Sequence, residues 1–300
     1  MNSKPSVSVV MNCYNGEKYL KKAIDSVLAQ TFTSWEIVFW DNKSTDKSAE
    51  IFKSYKDERL NYYYADTHTS ILYEARNLAL KKTKGQFIAF LDADDWWMPE
   101  KLEKQIPLFN DNSVGLVYSN FYYFFENSRK KKIFKKKKLP TGMIFEALLE
   151  DYVIGSPTYV IRKAALQRMQ HGFNSNFHMI GDFDLNIRLS ITSKVDCVQS
   201  PVACARRHET NESLLKRSIE IDELKNWYEN MKNNKIFSST KKFKQVLFKI
   251  YYLEIIDAIQ KGDLKKGASN LMKYPFSFNK IKLLVALFLP KFMIKKIKNY

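Results

Sequence analysis

The N-terminal third of the chain alternates short apolar runs with segments of helical spacing. The apolar runs predict four strands, at 7–11, 36–40, 60–64 and 86–91. Between them, apolar residues recur at the spacing of one helix face, which predicts helices at 18–30, 47–55 and 73–82. Strands that alternate with helices predict an α/β fold with a doubly wound, mainly parallel sheet. Ligands of such sheets bind beyond the carboxyl ends of the strands.

The pattern changes in the second half of the chain. An aromatic-rich segment at 114–125 predicts a further strand, and a doubled basic loop follows at 129–138. Helices are predicted at 144–150, 163–169 and 182–192. From about residue 213 the chain becomes helical and basic. We therefore expect an α/β domain at 1–212 and a basic helical C-terminal region at 213–300.

The charge balance favours an anionic partner. Among 300 residues, 49 Lys and Arg stand against 32 Asp and Glu, which gives a formal net charge of +17. No recognised nucleic-acid motif is present, so we do not expect nucleic acid as the partner. The segment 281–297 combines Leu and Phe with several lysines, as interfacial helices on anionic membranes do. A helix that packs on the core and keeps its lysines in solvent is the alternative.

Cysteine usage and the N-terminus indicate a cytoplasmic protein. Cys13, Cys197 and Cys204 form no C-x-x-C pair, which argues against a disulfide scaffold or a zinc site. The N-terminus lacks the apolar segment of a signal peptide. No apolar run approaches the roughly 20 residues that span a bilayer. A peripheral position on the membrane surface would fit both this pattern and the basic C-terminal region.

Polar clusters follow the predicted strands and are the candidate ligand-binding residues. Segment 12–16 follows the first strand and offers an aromatic ring and backbone groups that could hold a base. Asp41 follows the second strand, where a carboxylate could accept the N3–H of uracil. Arg76 lies near the third strand and could make a bidentate contact with a base or phosphate.

The acidic turn after the fourth strand is the most informative cluster. Asp92, Asp94 and Asp95 place three carboxylates within four residues, where they repel one another. A divalent cation resolves this conflict, because Mg²⁺ and Mn²⁺ bind one or two carboxylates together with substrate phosphates. The alternative is an ordinary helix N-terminus, where acidic residues interact with the helix dipole.

Several segments, taken in order, resemble the family 2 glycosyltransferases over about residues 5–210. They read VSVVMNCYNGEKYLKKAIDSVLAQTF, EIVFWDNKSTDKS, ARNLAL, GQFIAFLDADDWWMPEKL and GDFDLNIRL. The resemblance implies the GT-A fold and an inverting, metal-dependent transfer of a hexose or N-acetylhexosamine from a nucleotide-diphosphate sugar, here expected to be UDP-linked. It also implies an acceptor hydroxyl on a lipid-linked or cell-surface glycan, at the inner face of the cell membrane.

The same resemblance implies roles for the polar clusters. Tyr14 and Asn15 would lie beside the base, and Asp41 would bind it. Arg76 would lie near the base or pyrophosphate, and Asp92 by the ribose and metal. Arg207 and His208 would lie over the phosphates. Asp94 would ligate the Mn²⁺ or Mg²⁺ ion. These assignments rest on the family and not on the spacing of the residues.

The general base of the family is an Asp that follows a Glu near the start of a late helix. Asp182 matches that position, but Gly181 stands where the Glu would be. We therefore keep Asp184 as a second candidate, and a helix N-cap as the structural alternative for Asp182. Gly181 also favours a non-catalytic binding or scaffold protein. A nucleotidyltransferase shares an acidic turn of this kind, but the Gly-rich phosphate loop of that class is missing.

Overall fold

The computed structural model describes residues 5–169 and 172–289. It divides into two compact units. The first comprises Met1–Leu148 with Tyr152–Asn211, and the second comprises Leu149–Asp151 with Glu212–Tyr300. The first unit contains the sheet, and the second consists of helices.

The strands and helices of the first unit alternate as far as the fourth strand. Its strands are β1 (Val7–Cys13), β2 (Trp35–Asp41), β3 (Leu60–Tyr64), β4 (Phe87–Phe90), β5 (Trp96–Trp97), β6 (Val114–Phe125), β7 (Lys130–Ile133), β8 (Val160–Arg162) and β9 (Lys194–Arg207). Its helices are α1 (Glu17–Leu28), α2 (Ser48–Ser54), α3 (Leu72–Leu80), α4 (Lys101–Gln105), α6 (Lys163–Arg168) and α7 (Gly181–Thr192), and α5 (Phe145–Glu150) runs from this unit into the second.

Within the described residues one sheet contains nine strands in the order β3-β2-β1-β4-β8-β6-β9-β5, with β7 beside β6. Strands β3, β2, β1 and β4 are parallel, as predicted. Beyond β4 the sheet is mixed, because β8 runs antiparallel to both β4 and β6, while β6 and β9 are parallel. The parallel arrangement thus holds for these four strands and for the β6–β9 pair, whereas β5, β7 and β8 join the sheet antiparallel.

The core explains why the first strands are continuous apolar runs. Strands of a parallel sheet are covered on both faces, and every residue of β2 is buried. Leu20, Ile24 and Val27 of α1 are fully buried and pack in the same cluster as Val9 of β1. Each such side chain contributes about 1.5–3 kcal/mol by burial. We expect Ile24→Ala to destabilise the fold by about 2–5 kcal/mol.

The second unit contains a small apolar core of its own. Its helices are α8 (Glu212–Leu215), α9 (Arg217–Met231), α10 (Lys235–Ser238), α11 (Lys244–Lys261), α12 (Leu264–Lys273) and α13 (Phe278–Phe288). Gly262 ends α11 in the left-handed conformation, with φ of 79°, as glycine does at helix ends. Leu283 and Leu287 of α13 pack against Leu271 of α12. Residues 290–297 of the predicted C-terminal helix lie outside the described residues.

The solvent-facing side of α13 carries apolar side chains as well as the polar Asn279 and Lys282. Leu283 and Leu287 are buried, whereas Leu284, Val285 and Phe288 of the same helix are exposed. Over residues 5–169 and 172–289, no helix is both long enough and apolar enough to cross a membrane.

Candidate active site

The loops after β1 and β2 bind each other at the carboxyl edge of the sheet. The Asn15 backbone N–H donates to Ser44 Oγ at 3.1 Å, and Asn15 Oδ1 accepts from the Thr45 backbone N–H at 2.8 Å. Asn15 has a φ of 53°, a left-handed conformation that Asn adopts more readily than most residues. Beside it, Tyr14 is 54% exposed and its ring centroid lies 4.5 Å from that of His68. The paired rings form an exposed aromatic surface.

Asp41 lies beneath these loops and is fully buried. Its Oδ1 accepts from the Ser44 backbone N–H and its Oδ2 from the Tyr62 hydroxyl, both at 2.7 Å. Burial, together with the Asp41 charge, raises the pKa of Tyr62, so this hydroxyl remains a donor at neutral pH. A carboxylate oxygen can accept a second hydrogen bond, but the buried Asp41 exposes no oxygen to a base in this conformation.

Arg76 joins two carboxylates that are far apart in the sequence. Its side chain extends from α3 and the residue is 1% exposed. One terminal nitrogen donates to Asp182 Oδ1 at 2.7 Å and the other to Asp92 Oδ1 at 2.6 Å. The structure thus places Arg76 between the acidic turn and the predicted base. A buried guanidinium with two carboxylates satisfies its charge without any ligand.

Two residues that the sequence analysis did not select complete this cluster. The Ser156 hydroxyl donates to Asp92 Oδ2 at 3.0 Å, and the Tyr159 hydroxyl donates to Asp182 Oδ1 at 2.5 Å. Ser156 begins a short 3-10 turn that Trp97 fixes through a hydrogen bond to the Pro157 carbonyl. The apolar pattern carries no signal for this turn.

The two candidate bases at the start of α7 have different hydrogen-bond partners. Asp182 lies in the first turn and joins the cluster through Oδ1, whereas Oδ2 has no hydrogen-bond partner among the residues that the structure describes. Asp184 is turned away and binds Arg188 through Oδ2 at 2.7 Å. A Cβ on Gly181 would lie 2.4 Å from the Tyr73 ring, which is closer than real contacts allow. A Glu at position 181 would therefore collide with the Tyr73 ring, which explains why glycine stands there.

The acidic turn after β4 also contacts the end of β9. Asp94 Oδ2 lies 3.0 Å from His208 Nε2 and 3.2 Å from Asn211 Nδ2. Asp95 Oδ1 accepts from the Arg206 backbone N–H at 2.8 Å. His208 thus contacts the turn, and its role over the donor phosphates stays a prediction. The Arg207 guanidinium lies instead over the Tyr123 ring, 4.5 Å from its centroid.

A divalent cation would relieve the repulsion among the carboxylates of the acidic turn. Burial raises the pKa of Asp94, and the charge of Asp92 raises it further. Burial and these neighbouring carboxylates also raise the pKa of Asp95 well above its usual range. Among the described residues, no group of three or more His, Cys, Asp or Glu side chains is arranged to hold a metal alone. One or two carboxylates completed by phosphate oxygens would suit Mg²⁺ or Mn²⁺.

Comparison with protein families gives a match over residues 8–174 to the model described as glycosyl transferase family 2. The chain is 30% identical over 171 residues to TuaG, a Bacillus subtilis glycosyltransferase named for teichuronic acid biosynthesis. It is 32% identical over 167 residues to WfgD of Escherichia coli, named as a glucosyltransferase that acts between UDP-Glc and GlcNAc-diphosphoundecaprenol. Each alignment covers 56% of this chain, and they cover 67% of TuaG and 64% of WfgD.

Solved structures share the fold. TarS 1–349 of S. aureus in complex with UDP matches with a TM-score of 0.59 and 18% identity, over 88% of each chain. A mannosyltransferase from Pyrobaculum calidifontis in complex with GDP-Man and Mn²⁺ matches with a TM-score of 0.63 and 17% identity, over 100% of this chain and 85% of that one. The predicted GT-A fold, with a helical C-terminal region, is confirmed.

Proposed function

The chain belongs to glycosyl transferase family 2, and we propose that it is an inverting, metal-dependent enzyme that uses a UDP-sugar as donor. The acceptor would be a hydroxyl of a lipid-linked or cell-surface glycan; the name of the relative WfgD gives GlcNAc-diphosphoundecaprenol as its acceptor. The observation that carries the proposal is the Arg76 bridge, which brings Asp92 of the acidic turn and Asp182 of α7 into one cluster.

Asp182 is our proposed general base. A sugar hydroxyl is a poor nucleophile until its proton is removed, and Asp182 Oδ2 is the oxygen that the cluster leaves for that proton. The hydroxyl oxygen forms a bond to the anomeric carbon while the bond to the nucleoside diphosphate breaks on the opposite side. Attack on the face of the anomeric carbon opposite the leaving diphosphate inverts the configuration. Arg76 and Tyr159 hold Oδ1 and so fix the direction in which Oδ2 points.

The donor side would be formed by the two loops and the acidic turn. We assign the base to Tyr14 and Asn15. Asp41 would fix the loop through the Ser44 backbone N–H, or would accept a hydrogen bond from the base in a conformation that exposes its carboxylate. Asp94, helped by Asp92, would hold a Mn²⁺ or Mg²⁺ ion that offsets the charge of the diphosphate. His208 lies 3.0 Å from Asp94 and would meet the same phosphates, with Arg207 further along β9.

We also propose that the second unit binds an anionic membrane surface, which would place the protein at the inner face of the cell membrane. Exposed apolar side chains concentrate on α12, α13 and the loop between them, at Met272, Phe276, Phe278, Ile281, Leu284, Val285 and Phe288. Lysines stand among them in the same segment. Apolar side chains that enter the interface together with lysines that meet anionic headgroups are the features of interfacial helices.

A screen of nucleotide sugars by thermal shift with Mn²⁺ present tests the donor class. A ligand that binds only the native state raises its stability, so a UDP-sugar should raise the melting temperature more than its GDP or ADP counterpart. The same donors should then release nucleoside diphosphate in the presence of a glycan acceptor. Binding without any release would favour a non-catalytic sugar-nucleotide-binding protein. Release of pyrophosphate from a nucleoside triphosphate would favour a nucleotidyltransferase.

A further inference from the structure

A row of side chains crosses three neighbouring strands beside the acidic turn. Lys131 of β7 and Arg206 of β9 both pair in register with Phe124 of β6. Residues that pair in register project to the same face of a sheet. Phe124 is therefore flanked on one face by two basic residues, and Lys131 Nζ lies 5.8 Å from the ring centroid of Tyr122 on the same strand.

A third positive charge comes from α1. Trp96 of β5 pairs with Cys204, two residues before Arg206, and so shares this face. Lys22 Nζ lies 3.7 Å from the Trp96 ring centroid, and the Arg206 guanidinium carbon lies 4.9 Å from it. Two cations thus lie within 5 Å of one ring. We call Lys22, Lys131 and Arg206 the basic cluster.

The cluster lacks anionic partners within the described part of the chain. Arg206 is 8% exposed, and its Nε donates to the Asp94 carbonyl at 2.9 Å. Neither terminal nitrogen of Arg206 has a hydrogen-bond partner there, and neither lysine has a carboxylate within 4.0 Å. A buried guanidinium with unused donors is unfavourable unless a ligand or water satisfies it.

The acidic residues around the cluster are already engaged. Glu126 accepts a 2.6 Å hydrogen bond from Tyr19 and pairs with Lys18 at 3.3 Å. Asp95 Oδ1 accepts from the backbone of Arg206 and not from its side chain. Burial lowers the pKa of Lys22, and the charges of Arg206 and Lys131 lower it further. Three like charges held together in this way favour an anion with several oxygens.

We propose that the basic cluster binds the diphosphate of a lipid-linked acceptor, an inference that rests on the proposed function. A diphosphate carries enough charge and oxygens for two lysines and a guanidinium fork. The half-buried Phe124 ring beside the cations offers apolar surface for the first carbons of the lipid. Arg206 also binds Asp94 through its side chain and Asp95 through its backbone, so the cluster adjoins the turn assigned to the donor phosphates.

Binding of inorganic pyrophosphate and of farnesyl diphosphate, measured by calorimetry without divalent metal, tests the site. Lys22→Gln and Lys131→Gln should each weaken both ligands about 5-fold, as expected for one lost cation at a partly exposed site. Lys130→Gln is the matched control, because it removes the same charge from the adjacent exposed position, whose side chain points to the other face. Equal weakening by all three variants, or by none, would overturn the proposal.

Two further measurements identify the source of the phosphate. The affinity for phosphatidylglycerol vesicles should stay within about 2-fold of the wild type in both lysine variants. Weaker vesicle binding with unchanged farnesyl diphosphate binding would mean that the cluster contacts membrane headgroups instead. The Michaelis constant for the donor should also be unchanged, and a rise would assign the cluster to the donor phosphates. If the wild type releases nucleoside diphosphate from no donor, the proposed function fails, while the farnesyl diphosphate result still decides whether the cluster binds a diphosphate.

Discussion

The Tyr159 hydroxyl donates a hydrogen bond of 2.5 Å to Asp182 Oδ1, the oxygen that Arg76 also binds. Burial raises the pKa of Tyr159 well above its ordinary value, and the charge of Asp182 adds to this, so the phenol keeps its proton at neutral pH. Because both donors bind Oδ1, Oδ2 of the carboxylate remains available to accept the proton of the acceptor hydroxyl. We therefore regard Tyr159 as a positioning residue for the proposed base.

Tyr159→Phe should lower kcat about 10-fold, because one hydrogen bond that orients the carboxylate is lost. The Michaelis constant for the donor should stay nearly constant. Tyr118→Phe is the control: Tyr118 is also buried, and its hydroxyl donates to the Pro140 carbonyl at 2.8 Å. It should lower the melting temperature without a comparable loss of turnover. Similar kinetics for the two variants would mean that Tyr159 serves stability alone.

Asp94→Asn should abolish the metal dependence of donor binding, because it removes the carboxylate assigned to the cation while keeping its size. Titration of UDP with and without Mn²⁺ measures this effect directly. Glu100→Gln removes a nearby surface carboxylate that pairs with Lys104, and it should leave the Mn²⁺ effect intact. If Asp94→Asn binds UDP with the metal dependence of the wild type, the cation lies elsewhere.

The sequence pattern predicted the elements whose residues are buried on both faces. Strands β1, β2 and β4 appear as apolar runs because both faces of that part of the sheet are covered. The edge strand β3 was predicted as well, although it is only partly buried. β8 contains three residues, too few for any periodicity, and it was not predicted. β9 was also missed, because its polar residues fall where the strand is partly exposed and its register with β6 is irregular.

The candidate residues were selected one by one, and their arrangement was not predicted. Asp92, Asp94 and Asp182 were selected from motifs, yet the contact between the turn and α7 depends on Arg76, which is 106 residues from Asp182. Ser156 lies in a short turn, Tyr159 at the buried position before β8, and Asn211 in a loop. Their types are common at such places, so only the fold shows that they contact the carboxylates.

Lys101 should make stability depend on pH in a defined direction. Burial lowers its pKa well below the ordinary value of 10.5. Between the folded and unfolded pKa values the unfolded chain binds more protons, so stability rises with pH in that window. Lys101→Met removes this dependence. The melting temperature of the variant relative to the wild type should therefore fall as the pH is raised from 7 to 10.

Lys104→Met, on the exposed side of the same helix, is the control for this titration. It removes an equal charge that is not desolvated, so its melting temperature should follow the wild type across the same pH range. A constant difference between Lys101→Met and the wild type would contradict a strongly lowered pKa for Lys101.

The double substitution Phe276→Ser and Phe278→Ser should weaken binding to phosphatidylglycerol vesicles at least about 10-fold, since two exposed aromatic side chains no longer enter the interface. Leu214→Ser with Leu215→Ser removes exposed apolar side chains from α8 of the same unit and should have little effect. Cosedimentation at low and high salt measures both effects, and salt should weaken the wild type too. Equal binding by both double variants and the wild type would contradict a membrane role for α12 and α13.

Release of nucleoside diphosphate by Asp182→Asn and Asp184→Asn, with the donor that the wild type uses, is the most direct test of the proposed chemistry. Asp182→Asn should be slower by roughly 10²–10⁴-fold with unchanged donor affinity, because the amide cannot accept the proton. Asp184→Asn should keep its rate within about 3-fold and lose stability, since its buried pair with Arg188 is broken. Wild-type rates in Asp182→Asn, or an inactive and stable Asp184→Asn, would contradict the assignment of Asp182 as the base.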